Sequence, residues 1–224
     1  MLPPLGCSLG GRAPTAVIPG AEVLPSSWSP LSAGPELYGG IANLYNSSSQ
    51  IWERVWGEHM HTGFYTGDKD PSIMTKEDHF EAQHEMMLQL FRLWDSVDVK
   101  LSESAASGGT IRVLDAGCGV GGSSRFLYRA LSDIAESNGH RELEIEVVGI
   151  TLSQYQRDRA TQLTAADDDI PSGSVTFQVA NALDTKLPNE HFDCVWSLES
   201  GTVLVDLITR GFGRITVSLD RLAP

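Results

Sequence analysis

The stretch that most constrains this chain is Ile111 to Phe126, which reads IRVLDAGCGVGGSSRF. An apolar run ends in Asp115, a turn dense in glycine follows, and two serines precede a predicted helix. Glycines allow such a turn to bring backbone amides close to a ligand, and the positive end of the new helix favours groups with acceptor oxygens. The order of strand, acid, glycines and helix therefore predicts a nucleotide-type binding loop rather than an ordinary tight turn.

The position of the acid distinguishes between nucleotides. A dinucleotide fingerprint reads G-x-G-x-x-G, and its ribose-binding acid comes about twenty residues later. Here the glycines read G-C-G-V-G-G, and Asp115 lies two residues before the first of them, where it can hold an ammonium group directly or through water. A phosphate-binding P-loop needs a Lys after its glycines, and none follows here. The loop therefore favours S-adenosylmethionine over NAD and argues against a P-loop.

Composition excludes several partners. The chain has 224 residues and a formal net charge of −13, which argues against nucleic acid because backbone binding uses clustered Lys and Arg. No apolar run is long enough to span a membrane, so we predict no integral membrane segment and leave peripheral membrane contact open. The three cysteines form neither a metal spacing nor an even disulfide framework, which is typical of a reducing compartment. We predict no bound metal.

Changes in amino-acid composition divide the chain into four segments. Residues 1–36, rich in Pro, Gly, Ser and Ala, predict a disordered or targeting extension. Residues 37–100 predict a helical, aromatic-rich lid, with a short helix over 46–56 and a longer one over 75–98 capped by Thr75. An α/β core is predicted over 101–201, and within it a polar linker from 102 to 110 precedes the first strand. Residues 202–224 form an atypical tail.

The core alternates strands and helices. Besides the strand before the glycine loop, strands are predicted at 143–150, 175–179 and 192–198, and helices at 124–137 and 153–166. This alternation predicts a Rossmann-like, doubly wound parallel sheet of the α/β class. Two β-prone runs in the tail, 202–208 and 214–219, can supply further strands; otherwise the fourth strand is left as an open hydrophobic edge.

Ligands of parallel sheets bind outside the carboxyl ends of the strands. That rule gathers the glycine loop and the residues after the later strands into one predicted cofactor-binding set: Asp115, Gly117, Cys118, Gly119, Gly121, Thr151, Gln156, Asn181, Ala182, Leu183 and Ser197. Thr151 and Gln156 can bond ribose hydroxyls, while Asn181 can accept from an adenine amino group and Leu183 can pack on the ring. The alternative for the polar members is a local role as a helix cap or turn residue.

The lid contributes aromatic and titratable candidates. Tyr45 and Trp56 can stabilise a sulfonium cation or line an apolar pocket, although an aromatic flap packed on the core is the alternative. His59 and His61 have no third partner in a zinc-binding pattern, so a zinc site is rejected. They remain, with Glu199 after the fourth strand, candidates for proton transfer.

Four segments together resemble a known family. YNSSSQIWERVWGEHMHTGFY (45–65), VLDAGCGVGGSSRFL (113–127), GITLSQYQRDRA (149–160) and FQVANALDTKLPNEHFDCVWSLESG (177–201) are similar to the gamma-tocopherol C-methyltransferases, and more distantly to sterol and small-amine methyltransferases. The resemblance implies a class I S-adenosylmethionine-dependent methyltransferase that methylates a ring carbon of a tocopherol-like phenol. It also implies an aromatic lid around Tyr45 and Trp56, and a plastid location, with the cytoplasm as the alternative.

The chain departs from the family pattern at two places. The family usually has Asp at the position of Asn181, and an amide there keeps the acceptor for the adenine amino group. After residue 201 the tail shows nothing of the family, so the sequence predicts a sheet incomplete at its C-terminal end. The alternative function is therefore an inactive fragment that only binds cofactor or acts as an interaction protein. An NAD-dependent reductase is the third alternative.

Overall fold

A computed structural model describes residues 35–67, 69–94, 97–188, 191–200 and 216–217. All of them belong to the unit that spans residues 33–224. The predicted extension over 1–36 lies outside the described residues except for its last two positions, and the tail over 202–224 does so except for residues 216–217.

The lid segment is more helical than the sequence predicted. Helix α1 spans Pro35–Trp56, twenty-two residues in place of the short helix expected over 46–56. Helix α2 spans Lys76–Phe91 and α3 spans Val97–Ser107. The predictions of one continuous helix over 75–98 and of a linker over 102–110 are therefore wrong. The apolar spacing runs on through Trp94, but Leu93 and Trp94 instead form a turn whose amides bond to Leu90 and Phe91.

The core follows the predicted alternation closely. Strand β1 spans Thr110–Ala116, α4 Gly122–Ser137, β2 Glu144–Thr151, α5 Gln154–Ala165, β3 Val175–Val179 and β4 Cys194–Trp196. A short strand β5, Thr216–Val217, pairs with β4. The sheet has the order β3-β2-β1-β4-β5, and every pairing is parallel. This confirms the predicted Rossmann-like parallel sheet, and the strand in the tail lies along the edge of β4.

Alternation along the strands separates two apolar clusters. Ile111 and Val113 of β1 belong to the larger cluster, together with Leu127 and Leu131 of α4 and Met87 of α2. Leu114 and Ala116 point to the other face, where they meet Ile150, Phe192 and Val195. Asp115 shares its face with Ile111 and Val113, which brings its side chain under the start of α4.

Residue Thr75 begins α2 with a capping box. Its hydroxyl accepts from the amide of Asp78, and the Asp78 carboxylate accepts from the amide of Thr75. We expect Thr75→Ala to lower the free energy of unfolding by about 1 kcal/mol, because the first turn loses its side-chain acceptor. Urea unfolding measures this. The control Thr161→Ala removes an exposed hydroxyl that bonds only to the carbonyl of Arg157, and an equal loss there contradicts the capping role.

Candidate functional site

The carboxyl ends of three strands meet at one edge of the sheet. Asp115 of β1 lies opposite Gly149 of β2 and Trp196 of β4. The turn after β1 is fastened to β2, because the amides of Gly117 and Cys118 both donate to the Ile150 carbonyl, at 2.9 and 3.0 Å. The structure thus brings the glycine loop beside the ends of β2 and β4, as the sequence predicted.

The glycine loop is tight at its flanks and open at its centre. Gly117, Gly119 and Gly121 all have positive φ, at 87°, 54° and 83°. A Cβ atom on Gly117 would lie 2.3 Å from Cβ of Ser200, and one on Gly121 would lie 2.7 Å from the Phe177 ring. A Cβ on Gly119 would meet no atom within 4 Å in the part of the chain that the structure describes, its two sequence neighbours aside. The space above Gly119 is therefore where a ligand can approach the backbone.

Asp115 lies beneath this loop with 1% of its surface exposed. One carboxylate oxygen, Oδ2, accepts from the hydroxyls of Ser123 and Ser124, both at 2.6 Å and both in the first turn of α4. Burial raises the pKa of Asp115 to about 6, against the opposing effect of the two serine hydrogen bonds. Burial also raises the pKa of the Cys118 thiol well above its usual range, which suits packing and not nucleophilic attack.

At the end of β2 the predicted ribose contacts bond to each other. The Thr151 hydroxyl donates to Oε1 of Gln156 at 2.6 Å, and Nε2 of Gln156 donates to the Ser49 hydroxyl at 3.0 Å. Ser153 caps α5 by accepting from the Gln156 amide. The local role that the sequence left open for these polar residues is therefore present, and the pair also joins α1 to the sheet edge.

Helix α1 reaches this edge through two further contacts. Oδ1 of Asn46 accepts from the Ser153 hydroxyl at 2.7 Å and from the Tyr155 amide at 3.1 Å. Glu53 forms a two-pronged ion pair with Arg159 of α5, whose shortest N to O distance is 2.6 Å. None of these long-range partners was predicted from the sequence.

The predicted aromatic lid residues lie on α1 as well. The Tyr45 ring meets Trp52 edge-on at 6.4 Å between centroids, and Trp56 ends the helix with 41% of its surface exposed. Their contact with a cofactor stays a prediction.

The residues after β3 and β4 also form local bonds. Oδ1 of Asn181 accepts from the Leu183 amide at 3.0 Å and begins a 3-10 turn over Ala182–Asp184. Ser197 is buried, and its hydroxyl bonds to that of Ser200. The role of Asn181 toward adenine and the cofactor contact of Ser197 therefore stay predictions; the structure shows a local partner for each and leaves one lone pair of the Asn181 oxygen available.

A loop over residues 58–62, which we call the histidine loop, lies against the start of α4. A Cβ atom on Gly122 would lie 2.5 Å from the Glu58 carbonyl oxygen and 2.6 Å from Nδ1 of His59. The buried guanidinium of Arg125 joins three elements: it bonds to Glu58 at 2.6 Å, and to the Val120 carbonyl and the Thr164 hydroxyl at 3.2 Å each. The histidine loop therefore lies directly beside the glycine loop.

The three predicted catalytic residues are brought together here. Nδ1 of His61 lies 2.8 Å from the Thr62 carbonyl oxygen, which only accepts, so Nδ1 carries the proton and Nε2 of the neutral ring has a free lone pair. Nε2 is buried and has no hydrogen-bond partner among the described residues. The Glu199 carboxylate accepts from the Thr62 amide at 3.1 Å and also from the Thr62 hydroxyl. His61 and Glu199 therefore both bond to Thr62.

Burial keeps both histidines neutral at pH 7. It lowers the pKa of His59 to about 3, helped by the nearby His61 and Arg125. Burial also lowers the pKa of His61, while the Thr62 hydrogen bond and the negative charge of Glu199 act in the opposite direction. His61 is the better proton acceptor of the two, because a carboxylate lies near enough to stabilise its charged form.

Residues 113–215 match the methyltransferase domain family. This match covers slightly less than half of the chain. The chain is similar to tocopherol O-methyltransferase, chloroplastic, of Arabidopsis thaliana, with 40% identity over 75% of this chain and 42% of the relative. It is also similar to 2-methyl-6-phytyl-1,4-hydroquinone methyltransferase of Synechocystis sp., with 32% identity over 74% of this chain and 43% of the relative. The chain therefore spans less than half the length of these relatives.

A solved structure agrees on the fold. The cyclase SpnF superposes with a TM-score of 0.51 at 21% identity, over 73% of this chain and 49% of that one. The domain match and the relatives confirm the resemblance to tocopherol methyltransferases that the sequence motifs indicated, and with it the S-adenosylmethionine cofactor class.

Sequence reasoning missed two residues beside the candidate site. Arg125 and Gln83 both contact the histidine loop from helices distant in sequence. A buried Arg within the first turns of α4 can be suspected from an amphipathic helix pattern, but its partner at Glu58 cannot. Among the described residues no group of three His, Cys, Asp or Glu side chains is arranged to hold a metal.

The raised pKa of Asp115 has a measurable consequence for the methyltransferase domain. The ordinary value is 3.8 and the folded value about 6, so the cofactor-free protein should lose stability as pH rises from about 4 to 6. We expect Asp115→Asn to remove this pH dependence and to raise the free energy of unfolding at pH 7.5 by roughly 1–2 kcal/mol. Denaturant unfolding at several pH values measures it. The control is Asp158→Asn, at an exposed carboxylate of α5; a variant at Asp115 that follows the wild-type pH curve contradicts the burial argument.

Proposed function

We propose that this chain transfers a methyl group from S-adenosylmethionine to a ring carbon of a phenol that carries a long isoprenoid side chain. One observation carries the proposal: a buried carboxylate lies beneath an open glycine loop, and the histidine loop, which carries a buried imidazole with a free lone pair, contacts Gly122 at the end of that glycine loop. The first feature suits an ammonium-bearing nucleotide, and the second suits a hydroxyl on the acceptor. The relatives named for tocopherol and for a phytyl hydroquinone supply the substrate class.

The residues present fit the cofactor. Space is open above Gly119, and the buried carboxylate of Asp115 is the natural partner of an ammonium group. Thr151 and Gln156 would face the ribose after exchanging their mutual bond, and Asn181 and Leu183 would face the adenine. When bound, S-adenosylmethionine supplies an electrophilic methyl group on a sulfonium. The protein itself would position the acceptor and exclude water from the site.

His61 is the proposed partner of the phenolic hydroxyl. Its free Nε2 can accept the hydroxyl proton, which increases electron density on the aromatic ring and makes the ring carbon a better nucleophile. The Glu199 carboxylate bonds to the Thr62 amide, and its negative charge favours the protonated His61 ring. His59 is a weaker candidate, because burial lowers its pKa to about 3.

The location of the protein in the cell is also inferred from the names of its relatives. The relative from Arabidopsis thaliana is named as chloroplastic, and we extend that location to this chain. A phenol with a hydrocarbon tail partitions into lipid, so peripheral contact with a membrane would give access to it. No helix among the described residues is long and apolar enough to cross a bilayer.

Cofactor binding tests the first half of the proposal. We expect Asp115→Asn to weaken S-adenosylmethionine binding by about tenfold to a hundredfold, because an ammonium loses a charged partner. Calorimetry measures the affinity, and Asp158→Asn should bind as the wild type does. Equal affinity in wild type and Asp115→Asn would show that the loop does not hold the ammonium group.

Methyl transfer tests the second half. We expect His61→Leu to lower kcat for a phytylated hydroquinone or chromanol by about 10²–10⁴ while leaving cofactor affinity unchanged. In the wild type the acid limb of the pH profile should fall below pH 6.5, since burial lowers the pKa of His61. The control is His79→Leu, at an exposed ring on α2 that bonds only to Tyr65 among the described contacts.

Radiolabelled transfer to chromanols, sterols and amines decides the acceptor class. A folded wild-type chain that binds cofactor and methylates none of them would overturn the enzyme proposal and support a protein that only binds cofactor. Transfer to an amine or a sterol alone would overturn the phenol.

A further inference from the structure

Gln83 is a buried amide whose two donors go to the histidine loop. It lies in the middle of α2 with 3% of its surface exposed. Nε2 donates to the carbonyl oxygen of His59 at 2.5 Å and to that of His61 at 2.9 Å. A single side chain therefore fixes the carbonyl groups of His59 and His61, the two residues on either side of Met60 in the sequence.

The peptide group between His61 and Thr62 is held at both ends. Its carbonyl oxygen accepts from Gln83, and its N–H donates to the Glu199 carboxylate at 3.1 Å. This peptide links the side chain on α2 to the acid that follows β4. A displacement of Gln83 would therefore move both proposed proton-handling groups, His61 and Glu199, relative to each other.

Two further contacts fasten the continuation of the loop to α2. The Phe64 amide donates to the Ala82 carbonyl at 2.8 Å, and a Cβ atom on Gly63 would lie 2.6 Å from Cβ of Ala82. On the opposite side, Gly122 and Arg125 of α4 contact Glu58. The histidine loop is therefore held between α2 and α4, and Gln83 is the side chain on α2 that reaches its centre.

The amide also carries an unsatisfied group. Oε1 of Gln83 is buried and has no hydrogen-bond partner among the described residues. A buried acceptor without a partner lowers stability. The contribution of Gln83 is therefore better explained by the position it imposes on the loop than by the stability it adds.

We propose that Gln83 is a positioning residue: its amide sets the placement of His61 and Glu199 through the peptide between His61 and Thr62. This inference rests on the proposed methyl transfer. Gln83 contacts neither the glycine loop nor Asp115 in the hydrogen bonds of the described residues, so its effect should fall on the acceptor side of the site and not on cofactor binding.

The test compares Gln83→Met with Gln89→Met in the full chain. Methionine keeps the length of the side chain and removes both donors. Gln89 lies on the same helix, and its side chain bonds only to Glu85 among the described residues, one turn away at 2.6 Å. For Gln83→Met we expect kcat to fall by about tenfold to a hundredfold, with KM for the cofactor changed by less than about twofold. The acid limb of the pH profile should move toward 6.5 as water reaches His61.

Hydrogen exchange measures how easily the histidine loop opens, and it does not depend on enzyme activity. Amides of residues 58–64 should exchange about tenfold faster in Gln83→Met than in the wild type or in Gln89→Met, because local opening becomes easier. Unchanged exchange in this segment, or an unchanged pH profile with unchanged kcat, overturns the inference. Equal losses of kcat, cofactor affinity and melting temperature also overturn it, since they describe a general structural defect.

Two outcomes separate this inference from the proposed function. If the wild type methylates no phenol but exchange in 58–64 responds to Gln83→Met alone, the reaction is wrong and the loop-positioning role stands as a structural finding without its catalytic purpose. If Gln83→Met fails to fold by circular dichroism, Gln83→Leu, which also removes both donors, carries the same expectations for kcat and exchange.

Discussion

The burial of one carboxylate organises the ligand edge of this protein. Asp115 ends the central strand β1 and lies under the first turn of α4, where two serine hydroxyls satisfy one of its oxygens. Burial disfavours the charged form of this carboxylate and thereby raises its pKa. A cationic ligand that pairs with this carboxylate would relieve that cost. The proposed cofactor affinity and the expected loss of stability at higher pH therefore have the same physical origin.

Around this carboxylate the site is assembled by long-range polar contacts to two neighbouring segments. Helix α1 is fastened to the end of β2 through Asn46, Ser49 and Glu53. The histidine loop is held between α2 and α4 by Gln83 and Arg125. Both segments come from the part of the chain before the sheet. They bring further hydroxyl, amide and imidazole groups to an edge where the core already places Thr151, Gln156 and Glu199.

Prediction from sequence worked best where the signal is local. Strand β3 was predicted at its observed bounds, and Ser153 and Thr75 cap the helices they were expected to cap. It worked less well in the lid segment. The break after Phe91 interrupts an apolar spacing that continues through Trp94 and Val97, because two successive turn bonds replace the helical ones there. The full length of α1 was missed because Gly39 and Gly40 are poor helix formers, and its contacts with α5 outweigh that preference.

The sequence by itself determined the strand, acid and glycine order of the ligand loop, because backbone conformation at positive φ depends on residue type within a few positions. It also determined the parallel sheet, because the alternation of strand and helix patterns leaves few arrangements. Only the tertiary structure decided that His61 and Glu199 share Thr62, that Gln83 holds the histidine loop, and that Thr151 bonds Gln156. Those contacts join residues on separate elements, and each depends on how the elements pack and on which polar groups are buried together.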